Sequence, residues 1–435
     1  MGSIWVKTEQ LPQFNPLPGD LNTDVLVIGG GLAGLLCTWQ FSQAGINCAL
    51  VEANRLCSGI TKNTTAKVTS QHGLIYHKLI QEFGVDTALL YLQANQNALA
   101  RLRKFCQTVD VDFTDEDAFV YSIDDKQKID KELVALEKIG FSAEFRARLP
   151  LPFPIAGAVR FPGQAQFNPL KFTAVIAKNL RIFERTKVLE LMPKKAFTDR
   201  GTISAEKIII ATHFPILNKH GGYFLKLYQH RSYVLALKNA PHISGMYVDE
   251  SKKGLSFRSA NDLLLLGGGS HRTGQSGGGW KQLEAFVHRY YPDARETARW
   301  ATQDCMSLDG IPYIGQYAKR TPDLYVATGF NKWGMTSSMV AAMILVDLVQ
   351  EHPNPYASAF SPNRTVFRPQ LAVNSWESIR GLLTPGSRRC PHMGCALKYN
   401  YEEHSWDCPC HGSRFSADGE LIDNPATDDR ASPPS

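Results

Sequence analysis

Close to the C-terminal end of the sequence, Cys390-Pro-His392 is followed, after fifteen residues, by Cys408-Pro-Cys410-His411. Each half offers metal-seeking side chains within a tight turn, so both halves can reach one small inorganic core from neighbouring loops. Two chemistries suit two thiolates and two neutral imidazoles at this spacing. One is tetrahedral zinc. The other is a 2Fe-2S cluster in which the cysteines bind one iron and the histidines the other, which carries less negative charge than an all-cysteine cluster and accepts an electron more readily.

A second pattern lies near the other end. Asp24-Val-Leu-Val-Ile28 reads as a buried parallel strand that runs into Gly29-Gly-Gly31-Leu-Ala33-Gly34 and a helix-patterned stretch to about Gln43. Strand, glycine turn and helix in that order set backbone N–H groups at a helix N-terminus against a pyrophosphate. A further strand, Asn47 to Val51, ends at Glu52, the distance expected of a carboxylate that binds ribose hydroxyls.

The neighbours of the first pattern decide between zinc and iron. Cys390-Pro-His392-Met-Gly394-Cys395 and Cys408-Pro-Cys410-His411-Gly412-Ser413 resemble the cluster loops of Rieske proteins of the cytochrome bc type. The resemblance implies Cys390, His392, Cys408 and His411 as iron ligands and a disulfide between Cys395 and Cys410. It also implies that the Ser413 hydroxyl donates to a bridging sulfide, which stabilises added charge and raises the potential. Where the family has a tyrosine that donates to a ligand sulfur, this sequence has Phe415. The expected potential is therefore below that of the respiratory proteins, within the roughly −150 to +300 mV Rieske span. A Phe415→Tyr variant should show a raised midpoint in a redox titration, and an unchanged or lower one would count against this account. Asp418-Gly419-Glu420 and Asn424-Pro425-Ala426 extend the resemblance. Upstream, Ser375 to Arg389 is too short for the several-stranded scaffold of such a module, so the module should be reduced or propped up by the rest of the chain.

Around the glycine turn, the sequence resembles FAD-dependent oxidoreductases of the D-amino-acid-oxidase (DAO) superfamily. The features that carry this are the small, hydroxyl-rich loop after Glu52 and Leu324-Tyr-Val-Ala-Thr-Gly329-Phe330-Asn-Lys-Trp-Gly334-Met335-Thr336. Thr186-Lys187-Val188 and Ile208-Ile-Ile-Ala211-Thr212 match two more cofactor-side strands. The resemblance implies FAD contacts at Gly29, Gly31, Ala33, Gly34, Glu52, Ala53, Arg55, Thr61, Thr64, Thr65 and Ala66, at Val188, Ala211 and Thr212, and at Gly329, Phe330, Gly334, Met335 and Thr336.

The two resemblances imply an α/β FAD-binding Rossmann-like domain of the DAO/glutathione-reductase-like kind, an α+β substrate domain and a small all-β Rieske module. The oxidoreductase should occupy residues 22–352, with FAD-binding parts at 22–75, 165–229 and 300–352 and substrate-side parts at 76–164 and 230–299. Tyr76 to Arg148 is polar and helix-patterned, with amphipathic runs Asp86 to Thr108 and Asp125 to Ile139. His230 to Gly269 reads as an antiparallel sheet. A linker, 353–377, leads to the cluster module, 378–430. Gly267-Gly-Gly269 fails as a second nucleotide site because Arg272 stands where the third glycine should be. His213 and His220 lack the partner carboxylate of an oxygenase iron site.

With 435 residues, 43% hydrophobic and 20% charged, the chain has the composition of a soluble protein of two or three domains. Its longest apolar run, Met339 to Val346, cannot span a bilayer. The first ten residues lack the plan of a signal peptide, so a cytoplasmic protein is expected. A formal charge of +6 is spread without a basic block, so no nucleic-acid partner is expected. Cys37, Cys48, Cys57, Cys106 and Cys305 lack ligand spacing and read as ordinary buried thiols.

A two-electron flavin beside a one-electron cluster makes an adaptor. The reading is a dehydrogenase of an amine or amino acid that passes electrons to an external acceptor. A reductase running from an external donor through cluster to flavin, or a redox sensor without small-molecule turnover, are the alternatives. Arg231 and Arg258 are candidates to clamp a substrate carboxylate, and His72 and Tyr233 are candidate pocket residues, while no catalytic residue is assigned.

Overall fold

The strand Leu21–Ile28 is buried along its second half because its sheet is covered on both faces, Val25 and Val27 packing with the helices and Leu26 and Ile28 with Leu17, Val188 and Ala196, which explains why it is apolar without alternation. The structure is a computed structural model, and it describes residues 2–217, 220–251, 253–385 and 388–428. Leu21–Ile28 pairs in parallel with Cys48–Val51 on one side and with Gly201–Ile210 on the other, and Gly201–Ile210 pairs in turn with Leu324–Thr328. Three sequence-distant segments thus meet in one sheet. The helices Leu32–Gln43 and Gly334–Val349 pack against each other, and the second is apolar all round and buried through Val346, as a helix inside a core must be.

A nine-stranded sheet forms the other large layer, running from Arg295–Ser307 through Leu227–Lys238 and Leu263–Arg272 to Thr114–Ser122 and Gly157–Gln166. The amphipathic runs become helices Val85–Cys106 and Lys126–Lys138. Between them Thr114–Ser122 is a strand, not helix. Its acidic first half hides the apolar pattern, and antiparallel pairing with Gly157–Gln166 holds it extended.

The cluster module is a four-stranded antiparallel sheet made of Lys398–Asn400, Ser405–Asp407, Arg414–Ser416 and Leu421–Asp423. Its core holds only seven buried residues, four of them cysteines, too few for independent stability. Residues 429 and 430, the end of the expected module, lie outside the described residues. The stretch expected as linker is largely helical: Ala357–Phe360 is a short turn of helix and Pro369–Leu383 a longer one, with proline at its first position. The second helix supplies the missing scaffold. Asn374 accepts from Arg272 at 2.9 Å and donates to Leu225 O at 3.1 Å, and a Cβ on Gly381 would lie 2.5 Å from Cys410 Sγ.

The module is also tied directly to the large sheet. Gln229 Nε2 donates to His411 O at 3.0 Å and Asn424 O at 2.9 Å, and Gln303 Nε2 donates to Gly412 O at 2.9 Å. Arg231 is paired with Glu403, which also accepts from Tyr233 at 3.1 Å. Gln229 donates both of its amide protons across this contact, and with Gln303 it fixes the module in one orientation.

Candidate functional site

The glycine turn opens one end of a cavity of about 1740 Å³. Its wall there includes Gly29, Gly31, Ala33, Glu52, Ala53 and Thr61, and continues past Thr64, Thr65, Val188, Ala211 and Thr212 to Phe330, Gly334 and Met335. Local backbone geometry explains the two glycines that matter most. Gly29 has φ +112°, and a Cβ there would stand 2.6 Å from Ala211 O; a Cβ on Gly34 would stand 1.9 Å from Gly29 O. Helix and strand therefore touch backbone to backbone, and the helix N-terminus faces the cavity. Gly34→Ala should force the helix off the strand and yield protein with little bound flavin, read from the flavin-to-protein absorbance ratio; normal flavin content would contradict it.

Glu52 accepts from Gly30 N at 2.6 Å and Asn54 N at 2.8 Å. Burial pushes its carboxyl pKa up, and those backbone donors pull the other way. Thr61 Oγ1 accepts from Leu32 N at 3.0 Å, which locks the hydroxyl-rich loop onto the first turn of the helix. Five expected residues are not on the wall: Gly34 and Gly329 shape the turns behind it, Ala66 is buried at φ 53°, Arg55 pairs with Glu184 at 2.8 Å, and Thr336 is bonded to Thr69 O and His72. The cradle of N–H groups, the near glycines and the buried carboxylate fit a dinucleotide cofactor.

Farther along, the cavity wall carries Ser232, Tyr233, Ser270, His271, Asp304 and Lys332. Lys332 Nζ donates to Ser232 Oγ at 3.0 Å and Ser270 Oγ at 3.1 Å. Enclosure lowers the pKa of its ammonium, opposed by Asp304. Sequence reasoning passed over this group, although Lys332 lies inside the Gly329–Thr336 run; Ser232 and Ser270 come from two other strands, so no local pattern joins the three. Of the residues considered for a carboxylate clamp, Arg231 is occupied by Glu403, and Arg258 is buried with its guanidinium on the carbonyls of Thr65 and Ala66. His72 is on the wall but is held by Tyr91 at 2.6 Å and Thr336 at 3.0 Å, and burial lowers its pKa to about 3, so it is neutral. Tyr233 is on the wall with its hydroxyl spent on Glu403.

Cys390, His392, Cys408 and His411 come together in the small module. The two histidine Nδ1 atoms are 3.3 Å apart, and burial lowers His392 to about 4 and His411 to about 3, leaving both imidazoles neutral as metal ligation requires. His411 Nε2 is buried without a hydrogen bond, although the Phe224 backbone bears on the ring. Cys395 and Cys410 form the expected disulfide. Ser413 Oγ faces the Cys390 thiol and accepts from Ala426 N at 3.0 Å, while Phe415 is fully buried and brings no hydroxyl. The five other cysteines are all buried free thiols. This donor set fits a two-iron cluster.

The imidazole side of that cluster loop faces the cavity domain. The rings of His392 and His411 stand edge-on to Phe214, with centroids 6.3 and 6.4 Å away. Asn424 Nδ2 donates to both Thr212 O and Phe214 O at 2.7 Å. Thr212 and His213 are both in the cavity wall, so that wall is directly continuous in sequence with Phe214, whose ring the histidines face.

The FAD dependent oxidoreductase family (DAO) matches residues 24–348, and the Rieske 2Fe-2S domain matches residues 359–434, a span that takes in the Pro369–Leu383 helix. The chain is 34% identical to YhfW of Bacillus subtilis (strain 168), named as a Rieske 2Fe-2S iron-sulfur protein, over 98% of this chain and 96% of that one. Among solved structures it is similar to L-proline dehydrogenase from P. horikoshii, with TM-score 0.67 and 15% identity over 80% of this chain and 98% of that one. Glycine oxidase from Geobacillus kaustophilus aligns with TM-score 0.65 and 20% identity over 80% of this chain and all of that one. Among the described residues no helix is long and apolar enough to cross a membrane.

Proposed function

Because the chain belongs to the DAO family of FAD dependent oxidoreductases and carries a Rieske 2Fe-2S domain, we propose that it is a dehydrogenase. It oxidises the C–N bond of an amine or amino acid and passes the electrons one at a time through the cluster to an external acceptor. When bound, FAD supplies two-electron acceptance and the cluster one-electron carriage. The observation that supports electron passage between the two sites is the Thr212–Phe214 segment. One end lies in the cavity wall and the other bears on both histidines of the cluster loops, so one short piece of chain reaches from the wall to the ligand-position rings.

The chain's own part is binding and orientation. Lys332 presents a cation into the cavity, held by Ser232 and Ser270, and suits the carboxylate of an amino acid. Replacing Lys332 by alanine should raise KM for carboxylate-bearing substrates by about ten-fold or more, the size of one charge-assisted hydrogen bond, and leave simple amines nearly unaffected. Equal effects on both substrate classes would remove Lys332 from this role.

The test of the function is an anaerobic titration of the holoprotein with primary amines, N-methylated amines and amino acids. Bleaching of the flavin followed by a reduced Rieske EPR signal supports the reading. Flavin reduction that needs prior reduction of the cluster by an artificial donor would reverse the direction, and no bleaching by any amine would leave a redox sensor.

A further inference from the structure

The helix Pro369–Leu383 is built inside out. The face that packs on the protein carries Asn374 and Gly381, both buried, whereas the outward face carries Trp376, Ile379, Leu382 and Leu383, exposed by 64, 49, 48 and 77%, with Val373 at the cavity rim. Phe367, just ahead of the helix, is 85% exposed. Of sixteen large apolar side chains exposed among the described residues, seven fall between Phe367 and Met393, so the exposure is concentrated in one patch rather than scattered. The patch continues onto the cluster module: a Cβ on Gly394 would lie 3.8 Å from Leu382, and Met393, next to the ligand-position His392, is 42% exposed.

Charge decides what covers it. Between Phe367 and Asn400 the chain has five basic residues, Arg368, Arg380, Arg388, Arg389 and Lys398, against a single carboxylate, Glu377. Glu377 is turned toward Gln275 of the large domain, and Arg368 is tied to Glu82. Arg380 and Lys398 are exposed, and Arg389 closes the helix C-terminus by donating to Thr384 O at 2.8 Å. An apolar helix face with aromatic side chains and a basic border matches an anionic bilayer surface. A second copy fits less well, because a two-fold pairing of this face would bring Arg380 and the arginine pair toward their own counterparts.

We infer that this face docks on an anionic lipid membrane, the apolar side chains entering the interfacial layer and the exposed Arg380 and Lys398 meeting lipid phosphates. The cluster loops then lie against the membrane surface, whatever substrate the cavity takes.

The experiment is co-sedimentation of full-length holoprotein with vesicles of mixed phosphatidylglycerol and phosphatidylcholine, and with phosphatidylcholine alone. Binding to the mixed vesicles that weakens with salt, and that falls about ten-fold in an Ile379→Glu/Leu383→Glu variant and also in Arg380→Gln/Lys398→Gln, is the expected result. Unchanged flavin and Rieske absorbance in both variants shows that they fold. Three results would overturn the proposal. These are no sedimentation of the wild type, equal sedimentation with both vesicle types, and a wild-type dimer that Ile379→Glu/Leu383→Glu converts to monomer.

Discussion

Replacing Cys408 by serine should abolish the Rieske EPR signal and the bound iron while the protein stays yellow. Cys408 is fully buried, and its backbone is fixed by bonds from its own N–H to Ser413 O at 2.8 Å and from Gly412 N to its carbonyl at 3.0 Å. The loop therefore cannot offer a substitute ligand. Serine keeps the shape but gives a hydroxyl that is not ionised at neutral pH, and loss of a direct ligand should exceed the roughly 10- to 100-fold that a lost supporting partner costs in metal affinity. The disulfide and the ties from Gln229 and Gln303 do not involve the Cys408 side chain, so the module should remain docked. Under the proposed function, substrate still bleaches the flavin, and turnover with a one-electron acceptor is lost. Retained acceptor turnover with no cluster would sink the adaptor mechanism, and loss of flavin together with iron would show that the two sites are not independent.

What the sequence revealed, and what it concealed, follows from how local the governing physics is. The glycine turn and the Cys/His pairs are short-range necessities: a backbone-to-backbone contact such as Gly34 on Gly29, or two ligand pairs in tight turns, leaves a spacing that can be read directly. The Pro369–Leu383 helix misled for the opposite reason. Its protein-facing side holds a polar Asn374 and a bare Gly381, so the usual equation of apolar periodicity with inward burial is inverted, and the stretch looked like linker. Arg231 looked free to clamp a carboxylate because its partner, Glu403, lies about 170 positions away in the chain and has no local signature; Tyr233 does line the cavity, with its hydroxyl on the same carboxylate. The Lys332, Ser232 and Ser270 cluster was invisible in the same way, a lysine from a turn and serines from two strands meeting only in the folded cavity.

The largest stability effect should come from Arg414. It is 5% exposed and pairs with Asp407 at 3.0 Å, Asp423 at 3.0 Å and Glu403 at 2.9 Å, the last shared with Arg231. Burial alone would lower the arginine pKa, but the three carboxylates raise it; conversely burial alone would raise Asp423, and Arg414 followed by Arg231 draws it below its ordinary value. Arg414→Met leaves buried carboxylates uncompensated, for which the usual cost is about 3–5 kcal/mol. Because those carboxylates knit the small sheet to Arg231 of the large one, the module should loosen first: the visible circular dichroism of the cluster should be lost at a lower temperature than flavin release. The pH dependence has a definite sign. A carboxyl with a depressed folded pKa contributes stability above its unfolded value, about 3.9 for Asp, and loses it as pH falls through the folded value. Wild-type tethering should therefore hold at neutral pH and fail only in acid below about pH 4. In Arg414→Met the Asp423 carboxyl becomes easier to protonate, so the gap between variant and wild type should be widest near neutrality and narrow as the pH drops. Arg414→Lys should recover only part of the loss, since one ammonium cannot reach three carboxylates with the geometry of a guanidinium. A variant as stable as wild type at pH 7, or a gap that widens in acid, would show that the network is not what holds the cluster module in place.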